Sequence, residues 1–334
     1  MDEREQWLAN VELRGDGSVP CTVISRDAED WHALAHAGGA PKRFEDAWGC
    51  AWLSLHPGLR GEVKAPALAD IGRLNSYRPP DVVAVDESGD RRDWHGIEQQ
   101  AREERRRGRV VWGAGGRFYD RVHFLRGFEN FMIDVGEDSE ALAAIIDMVL
   151  RENMRLVRRW IDIGADVIAF NDDLGMQDRL QISPIAFGRL FLPGYSRLFS
   201  ACRAAGVHVQ MHSNGHIVPI MRDLEEAGAT ILSVEDLVND VDAMQRELKG
   251  RVCIQLNVDR QLILAFGSPE QVDSHVRGCI EALGSPRGGL ILVCRLSPGT
   301  PPENIASLRS AIAKYRRLWR RPPIAGGRQT AAEP

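Results

Sequence analysis

Several features that mark common protein classes are missing from this sequence. No apolar run in the 334 residues approaches the length that a helix needs to cross a bilayer. The formal net charge of -5 gives no reason to expect nucleic acid or an anionic membrane as a partner. Residues 1–5 are acidic and polar, so we expect no secretory signal. The six cysteines form no C-x-x-C pair, and free thiols in a reducing cytoplasm are the simplest interpretation.

Three common catalytic and nucleotide-binding motifs are also missing. There is no Gly-rich phosphate loop with its lysine, no dinucleotide-binding fingerprint after a strand, and no G-x-S-x-G elbow of a serine hydrolase. The glycine cluster at 113–116 is interpreted as a flexible loop. The composition, 44% hydrophobic and 27% charged, is that of an ordinary globular protein. The length fits two domains or one α/β barrel with insertions.

What the sequence does have is a regular alternation of strands and helices in its second half. Glycines follow several predicted helices, as is typical of joints in a parallel sheet. The predicted strands are 166–170, 207–211, 230–234, 251–256 and 289–293, and the predicted helices are 184–205, 217–227, 240–248, 269–283 and 301–318. The first half predicts strands at 19–25 and 109–112 and a long helix at 136–163. This pattern predicts an α/β fold, a single (β/α)8 TIM barrel over 1–318 with an N-terminal extension, followed by a disordered tail at 319–334.

Polar side chains follow each of the late strands at the point where the strand ends. They are Asp172, Asp173, His212, Glu235, Asn257, Asp259 and Cys294. A barrel brings the carboxyl ends of its strands to one mouth, so we expect these side chains to converge there. His212, Glu235 and Cys294 are residue types that zinc accepts. Taken alone, a histidine at a strand end is usually a solvated residue, and a lone cysteine is usually a small core residue.

Several segments together resemble one enzyme superfamily. They are residues 44–50, 123–129 and 172–178, the run His212-Ser213-Asn214-Gly215, the strand end at Glu235, and Cys294 with the following 300–304. On these motifs the chain, from about Phe44 to Ile305, resembles the uroporphyrinogen decarboxylase superfamily. Within it, the chain is similar to the zinc- and cobalamin-dependent methyltransferase branch, including corrinoid-linked demethylase-like members.

The resemblance implies a methyltransferase with a metal centre. His212, Glu235 and Cys294 would hold zinc and leave a fourth position open. The zinc would act as a Lewis acid while a methyl group moves between a corrinoid and a thiol or a small O-, N- or S-methyl compound. The resemblance also implies cobalamin, which can be carried on a separate corrinoid protein.

Two departures from the family pattern bear on this expectation. Asn214 stands where the zinc motif has a cysteine, so we expect Asn214 to orient a ligand or substrate beside the metal. His216 could supply the missing ligand if the chain turns helical there. The arginine-rich segment with which uroporphyrinogen decarboxylases grip porphyrin carboxylates has no counterpart before Gly49.

Two further functions stay open at this point. The first is a metal-independent, decarboxylase-like lyase on the same barrel, with Asp172 or Asp173 as the acid/base. The alternative for this aspartate pair is a turn that orders the loop. The second is a non-catalytic binding protein in which the asparagine at position 214, in place of the family's cysteine, has abolished metal binding.

The predicted substrate-binding residues border the same pocket. They are Glu45, Trp48, Arg126, Gln177, Asn214 and Asn257. Arg126 lies among aromatic residues and needs a partner if it is buried. A structural ion pair with Glu129 or with an N-terminal carboxylate is the alternative to substrate contact.

Overall fold

The fold is that of a computed structural model, which describes residues 2–25, 42–55, 61–297 and 299–320. The strands are β1 (Cys21–Ser25), β2 (Lys42–Glu45), β3 (Ala51–Ser54), β4 (Glu62–Ala65), β5 (Trp112–Gly116), β6 (Val167–Asn171), β7 (His208–His212), β8 (Ile231–Glu235), β9 (Cys253–Asn257) and β10 (Leu290–Leu296). The helices are α1 (Glu3–Val11), α2 (Trp94–Arg106), α3 (Tyr119–Arg126), α4 (Phe128–Glu137), α5 (Glu140–Ile163), α6 (Pro184–Leu190), α7 (Leu192–Ala204), α8 (Met221–Glu226), α9 (Asp236–Asn239), α10 (Val241–Leu248), α11 (Ile263–Phe266), α12 (Pro269–Leu283) and α13 (Pro302–Tyr315).

Seven of these strands form one parallel sheet in the order β1-β10-β9-β8-β7-β6-β5. Helical segments separate β6 through β10 along the chain, as parallel pairing of successive strands requires. The alternation predicted for the second half is confirmed, and the class is α/β with a curled parallel sheet. Closure of the sheet by an eighth strand stays a prediction. The remaining three strands form a separate antiparallel sheet, β2-β3-β4.

Local sequence signals explain where the helices begin and end. Ser183 caps α6 by accepting from a backbone N–H in its first turn, and Pro184 follows at a position where no N–H is needed. Gly164 ends α5 in the left-handed conformation. The helix predicted at 136–163 begins later, at Glu140, because Asp138 adopts a positive φ of 59° and Ser139 caps a new helix.

Strand alternation divides the buried side chains into two clusters. In β10, Ile291 and Val293 join a small cluster with Val167, Ile231 and Cys253 from neighbouring strands. The intervening residues of β10, which include Cys294, join the large cluster that also contains the helix residues. Successive side chains of a strand point to opposite faces, so β10 presents one face to the inside of the curled sheet and the other to the helices.

The amino-terminal end of the sheet is covered, whereas its carboxyl end is open. Helix α1 packs Val11 into the small cluster, and Asn10 donates from Nδ2 to the Leu290 carbonyl at 3.1 Å. Arg4 and Asp166 form an ion pair at 2.6 Å on the same side. The amino-terminal ends of these strands are therefore closed by the chain itself, whereas their carboxyl ends open into a cleft.

The predicted disordered tail begins with a residue that is packed in the structure. Trp319, the first residue of the predicted disordered tail, donates from Nε1 to the Ile280 carbonyl at 2.9 Å. The rest of that predicted tail, 321–334, lies outside the described residues. Across the described ranges, no helix combines the length and the apolar character that crossing a membrane requires.

Candidate functional site

The carboxyl ends of the parallel strands open into a cleft with two compartments. The larger compartment has a volume of about 390 Å³ and lies between β5–β7 and the polar segment that precedes α2. The smaller compartment, of about 150 Å³, lies at the ends of β7–β10. His212 and Asn214 line both compartments. The larger volume falls in the range of pockets that take small molecules.

The two compartments include six of the catalytic, metal-binding and substrate-binding residues that the sequence predicted. Trp48, Asp173 and Asn214 line the larger one, while Glu235 and Asn257 join His212 in the smaller one. Charged residues of both signs complete the larger compartment. They are Arg92, Arg117, Arg121, Asp86 and Glu87.

A close approach of two loops places Asn214 against Asp173. Gly215 has a φ of +78°, and a Cβ there would overlap the backbone of Gly175 in the loop after β6. Only glycine permits both the conformation and the approach. Asn214 consequently donates from Nδ2 to Asp173 Oδ1 at 2.7 Å. The predicted role of Asn214 as an orienting residue therefore has a geometric basis, although its partner is a carboxylate.

His212 presents an unprotonated nitrogen to the cleft. Its Nδ1 lies 3.1 Å from the Ser233 carbonyl oxygen, which can only accept a hydrogen bond, so we assign the ring proton to Nδ1. Burial lowers the pKa of His212, and the charge of Arg295 lowers it further. The ring is therefore neutral near pH 7, and Nε2 can accept a proton or bind a ligand.

Three aspartates meet beneath the larger compartment. The Asp173 N–H donates to Asp120 Oδ1 at 3.1 Å, and the Asp120 N–H donates to Asp172 Oδ1 at 3.0 Å. Burial raises the pKa of Asp120 to about 6, with a further contribution from the charge of Asp173. Burial also raises the pKa of Asp172 to about 8, assisted by the charge of Asp120. The cluster therefore keeps a proton near pH 7 that isolated aspartates would have lost.

The two adjacent aspartates after β6 have different environments. Asp173 lines the larger compartment, whereas Asp172 is 1% exposed and lies in the protein interior. Its carboxylate accepts from the Phe118 N–H at 3.0 Å and from the Tyr195 hydroxyl at 2.7 Å. The structure therefore does not place the carboxylate of Asp172 at the cleft, and its catalytic role stays a prediction. Asp172 holds the start of α3 in place.

A buried arginine joins the antiparallel sheet to the wall of the cleft. Arg121 forms an ion pair with Asp46 at 2.6 Å, and both side chains are only 1% exposed. Its guanidinium lies 5.0 Å from the centre of the Trp48 ring and 3.4 Å from Glu87. Asp46 also accepts from Trp52 Nε1 at 2.9 Å. This network fixes Trp48 at the cleft, as predicted for that residue.

Cys294 does not lie beside His212 and Glu235. Val293 and Arg295 line the smaller compartment, so the intervening Cys294 points to the helix side of the sheet. The predicted set His212, Glu235 and Cys294 is not brought together in this structure. The sequence placed Cys294 correctly near the end of a strand but assigned it to the wrong face.

Three predicted substrate contacts also lie away from the cleft lining. Arg126 forms a buried ion pair with Asp134 at 2.6 Å and donates to the Ala69 carbonyl at 2.6 Å, so its partner is neither Glu129 nor an N-terminal carboxylate. Glu45 lies exposed in β2, and Gln177 is exposed in the loop after β6.

The proposed supplementary role of His216 also lacks support. The ring Nδ1 of His216 lies 2.7 Å from the Val238 carbonyl, and the residue falls in a loop rather than a helix. The condition for its ligand role, a helical turn from His212, is therefore not met.

Some residues of the cleft were missed in the sequence. Arg117 and Arg121 lie on or next to α3, and Asp120 joins the aspartate cluster from the same helix. A signal for them exists in the charged pattern Arg117-x-x-Asp120-Arg121, which follows the predicted glycine loop. The pairing of Arg121 with Asp46, 75 residues away, has no local signal.

A second group of polar side chains lies behind the smaller compartment. Asp236 Oδ2 is 2.8 Å from His275 Nε2, and Cys279 Sγ is 3.7 Å from the same nitrogen. Asp236 itself lines the cleft. The sequence signal was the spacing of His275 and Cys279 on α12, since residues four apart share one face of a helix.

Known proteins share the segment that forms most of this cleft. The family model "Uroporphyrinogen decarboxylase (URO-D)" matches residues 122–315, more than half of the chain. The fold matched by this family model is an α/β fold, with the cleft at the carboxyl ends of its parallel strands. The chain belongs to the uroporphyrinogen decarboxylase family.

Two relatives show how far the similarity extends. The chain is 25% identical over 172 residues to a uroporphyrinogen decarboxylase of Synechococcus sp. (strain CC9605), over 51% of this chain and 47% of the relative. The match thus spans about half the length of that curated protein. A solved methyltransferase from Methanosarcina mazei is similar with a TM-score of 0.58 and 19% identity, over 92% of this chain and 83% of the other. At that identity the likeness supports the shared fold alone.

Proposed function

We propose that this chain is a lyase that removes a carboxyl group from a small carboxylic acid, with Asp173 as the acid/base. The observation that carries the proposal is the position of Asp173. It lines the cleft, its backbone N–H donates to Asp120 Oδ1 at 3.1 Å, and its charge contributes to the raised pKa of Asp120, a buried member of the cluster. A carboxyl group that lies at the cleft, beside buried aspartates that keep a proton near pH 7, can deliver a proton to a bound substrate.

The arginines of the larger compartment give the substrate carboxylate a place to bind. Glu87 lies 3.7 Å from Arg117 and 3.4 Å from Arg121, and its side chain is 40% exposed. These contacts are longer than the 2.6 Å pair of Arg121 with Asp46. A substrate carboxylate can therefore displace Glu87 from the guanidinium groups while Asp46 keeps Arg121 in position.

The proposed reaction balances without a further reactant. The carbon–carbon bond to the carboxylate breaks, carbon dioxide leaves, and the electron pair stays in a conjugated system of the substrate. Asp173 then delivers a proton to that carbon, and a proton from solvent replaces it. Asn214 holds Asp173 by a 2.7 Å hydrogen bond, and the neutral His212 beside them can accept a proton from the substrate.

The donor set of the cleft does not fit zinc well. His212 and Glu235 both line the smaller compartment, but Cys294 points away from it. Catalytic zinc usually has three protein ligands and a thiolate or further imidazole among them. We therefore assign no step in the cleft to zinc.

Methyl transfer is the second candidate, and one observation favours it. His212 and Glu235, two of the three residues expected to hold a metal, still face one compartment together with Asn257. Methyl transfer between a small methyl compound or thiol and cobalamin would use this compartment. The cleft has the size of a small-molecule pocket, so cobalamin, free or on a corrinoid protein, would approach from the mouth.

The test compares two aspartate variants of the same loop. Purified protein is screened against small conjugated carboxylic acids by release of carbon dioxide. Asp173→Asn preserves the shape of the side chain but cannot carry the proton, and we expect kcat to fall by about 100-fold or more. Asp178→Asn is the control, because Asp178 is exposed in the same loop and forms a surface ion pair with Arg179. Equal rates for the two variants would contradict the proposal.

A parallel assay addresses the second candidate. Demethylation of methylcobalamin by a thiol is followed by its absorption spectrum. Turnover that is lost in His212→Gln and kept in Asp173→Asn would favour methyl transfer over the lyase.

A further inference from the structure

We propose that Asp236, His275 and Cys279 form a binding site for zinc or a similar divalent transition metal, behind the wall of the cleft. The three ligand atoms lie within 4.8 Å of one another. They combine an oxygen, a nitrogen and a sulfur ligand, the set that borderline-soft ions such as zinc accept.

The distances between the ligand atoms are close to those of a tetrahedral zinc site. Zinc bonds of ordinary length place the three ligand atoms about 3.3–3.6 Å apart. The observed separations are 2.8 Å for His275 to Asp236, 3.7 Å for His275 to Cys279 and 3.9 Å for Asp236 to Cys279. Each needs to change by roughly half an ångström or less, which side-chain rotation can supply.

An unpartnered atom independently indicates a missing ligand. Asp236 Oδ1 is buried and has no hydrogen-bond partner among the described residues, while the Asp236 side chain is only 1% exposed. A buried carboxylate oxygen without a partner is costly. A metal ion between the three residues, with a water on it, satisfies this carboxylate. A thiolate and a carboxylate also neutralise the two charges of the ion.

The orientation of the side chains argues against a nucleophilic cysteine. In a Cys-His-Asp triad the carboxylate and the thiol occupy different ring nitrogens. Here Asp236 and Cys279 both approach Nε2 of His275. The three groups thus converge on one point, as ligands of one ion do.

The position of the site suggests what the metal does. Asp236 follows directly after Glu235, the last residue of β8, whereas His275 and Cys279 lie on α12. A metal would tie the end of β8 to α12 and hold Glu235 at the smaller compartment. Its role is to position the cleft wall, and it does not depend on the lyase proposal.

The experiment uses cobalt(II) as a spectroscopic probe on the full chain. We expect one cobalt per chain, with the charge-transfer band of a thiolate ligand. Cys279→Ala should remove that band and weaken binding at least about tenfold. Cys202→Ala is the matched control, because Cys202 is also a buried thiol on a helix that packs on the sheet. It should bind cobalt as the unmodified protein does.

Two further measurements keep the test independent of misfolding. His275→Ala should lose the metal, and His212→Gln should keep it. Zinc should raise Tm of the unmodified protein and of Cys202→Ala, and it should leave Tm of Cys279→Ala unchanged. The proposal is overturned if the unmodified protein shows no thiolate band, if the band persists in Cys279→Ala, or if His212→Gln rather than His275→Ala loses the metal.

Discussion

Replacement of Asp172 gives the sharpest test of how the aspartate cluster is built. In Asp172→Ala the Phe118 N–H, the Asp120 N–H and the Tyr195 hydroxyl lose their acceptor, and all three bonds are buried. Each unsatisfied buried donor costs about 1–3 kcal/mol. We expect the free energy of unfolding to fall by about 3–5 kcal/mol. This is the lower end of the sum over the three donors, because water can enter the space left by the carboxylate. That is a large part of the free energy of unfolding of a typical domain.

Asp172→Asn is the matched variant. Its amide oxygen can accept both backbone N–H groups, and its NH2 can donate to the hydroxyl oxygen of Tyr195, so we expect a loss of only about 1 kcal/mol. Urea unfolding followed by tryptophan fluorescence measures the free energy of unfolding of both variants, provided that this free energy depends on urea concentration with the same slope (the m value) in each. Equal losses for the two variants, or a loss below about 1 kcal/mol for Asp172→Ala, would refute the structural role of Asp172.

The pH dependence of stability provides a second check on the same cluster. The pKa of Asp172 is raised to about 8 and that of Asp120 to about 6 in the folded state. The folded protein therefore keeps protons that the unfolded chain releases near pH 4, so these groups make stability fall as pH rises from about 4 to about 8. We expect the fall between pH 6 and pH 8 to be shallower in Asp172→Asn. An unchanged slope would show that Asp172 is ionised in the folded protein at neutral pH.

Three other substitutions have distinct expected results. Arg126→Met leaves Asp134 as a buried unpaired charge and should lower the free energy of unfolding by about 3–5 kcal/mol in urea, with unchanged turnover per folded molecule. Asn214→Ala removes the 2.7 Å hydrogen bond to Asp173 and should lower kcat by about tenfold while KM changes little in steady-state assays. Gln177→Ala, at an exposed loop position, should change neither stability nor turnover by more than about twofold, contrary to the sequence-based expectation.

The sequence was a good guide to the parts of the fold that repeat. The alternation of strands and helices from β6 onward follows from short apolar runs, capping residues and glycines, all of which are local signals. Ser183 with Pro184 and the glycine at 164 mark helix ends in the structure as they do in the sequence. The long helix was misjudged by four residues at its start because the left-handed turn at Asp138 interrupts a continuous amphipathic pattern.

Apart from Trp48, the cleft residues that were predicted lie at or just after the ends of parallel strands. Asp173, His212, Glu235 and Asn257 all line the cleft. Cys294 does not, because a shift of one residue along a strand moves a side chain to the opposite face, and the sequence does not fix where the strand stops.

The same limit applies to contacts between distant segments. Arg121 pairs with Asp46 across 75 residues, and no local pattern specifies that pair. Of the two arginine partners of Glu87, Arg121 lies on α3 and Arg117 lies two residues before it. Glu87 itself lies in an irregular segment. These contacts depend on the packing of the antiparallel sheet against α3, which only the folded structure defines.

The central claim is that Asp173 delivers a proton to the carbon that loses the carboxyl group. Decarboxylation in D2O, followed by mass spectrometry of the product, tests it most directly. The account predicts one deuterium at that carbon for each carbon dioxide released, with both signals lost in Asp173→Asn and kept in Asp178→Asn. Deuterated product that forms as fast in Asp173→Asn as in the unmodified protein would contradict it. A reaction that proceeds only with methylcobalamin as co-substrate would also contradict it.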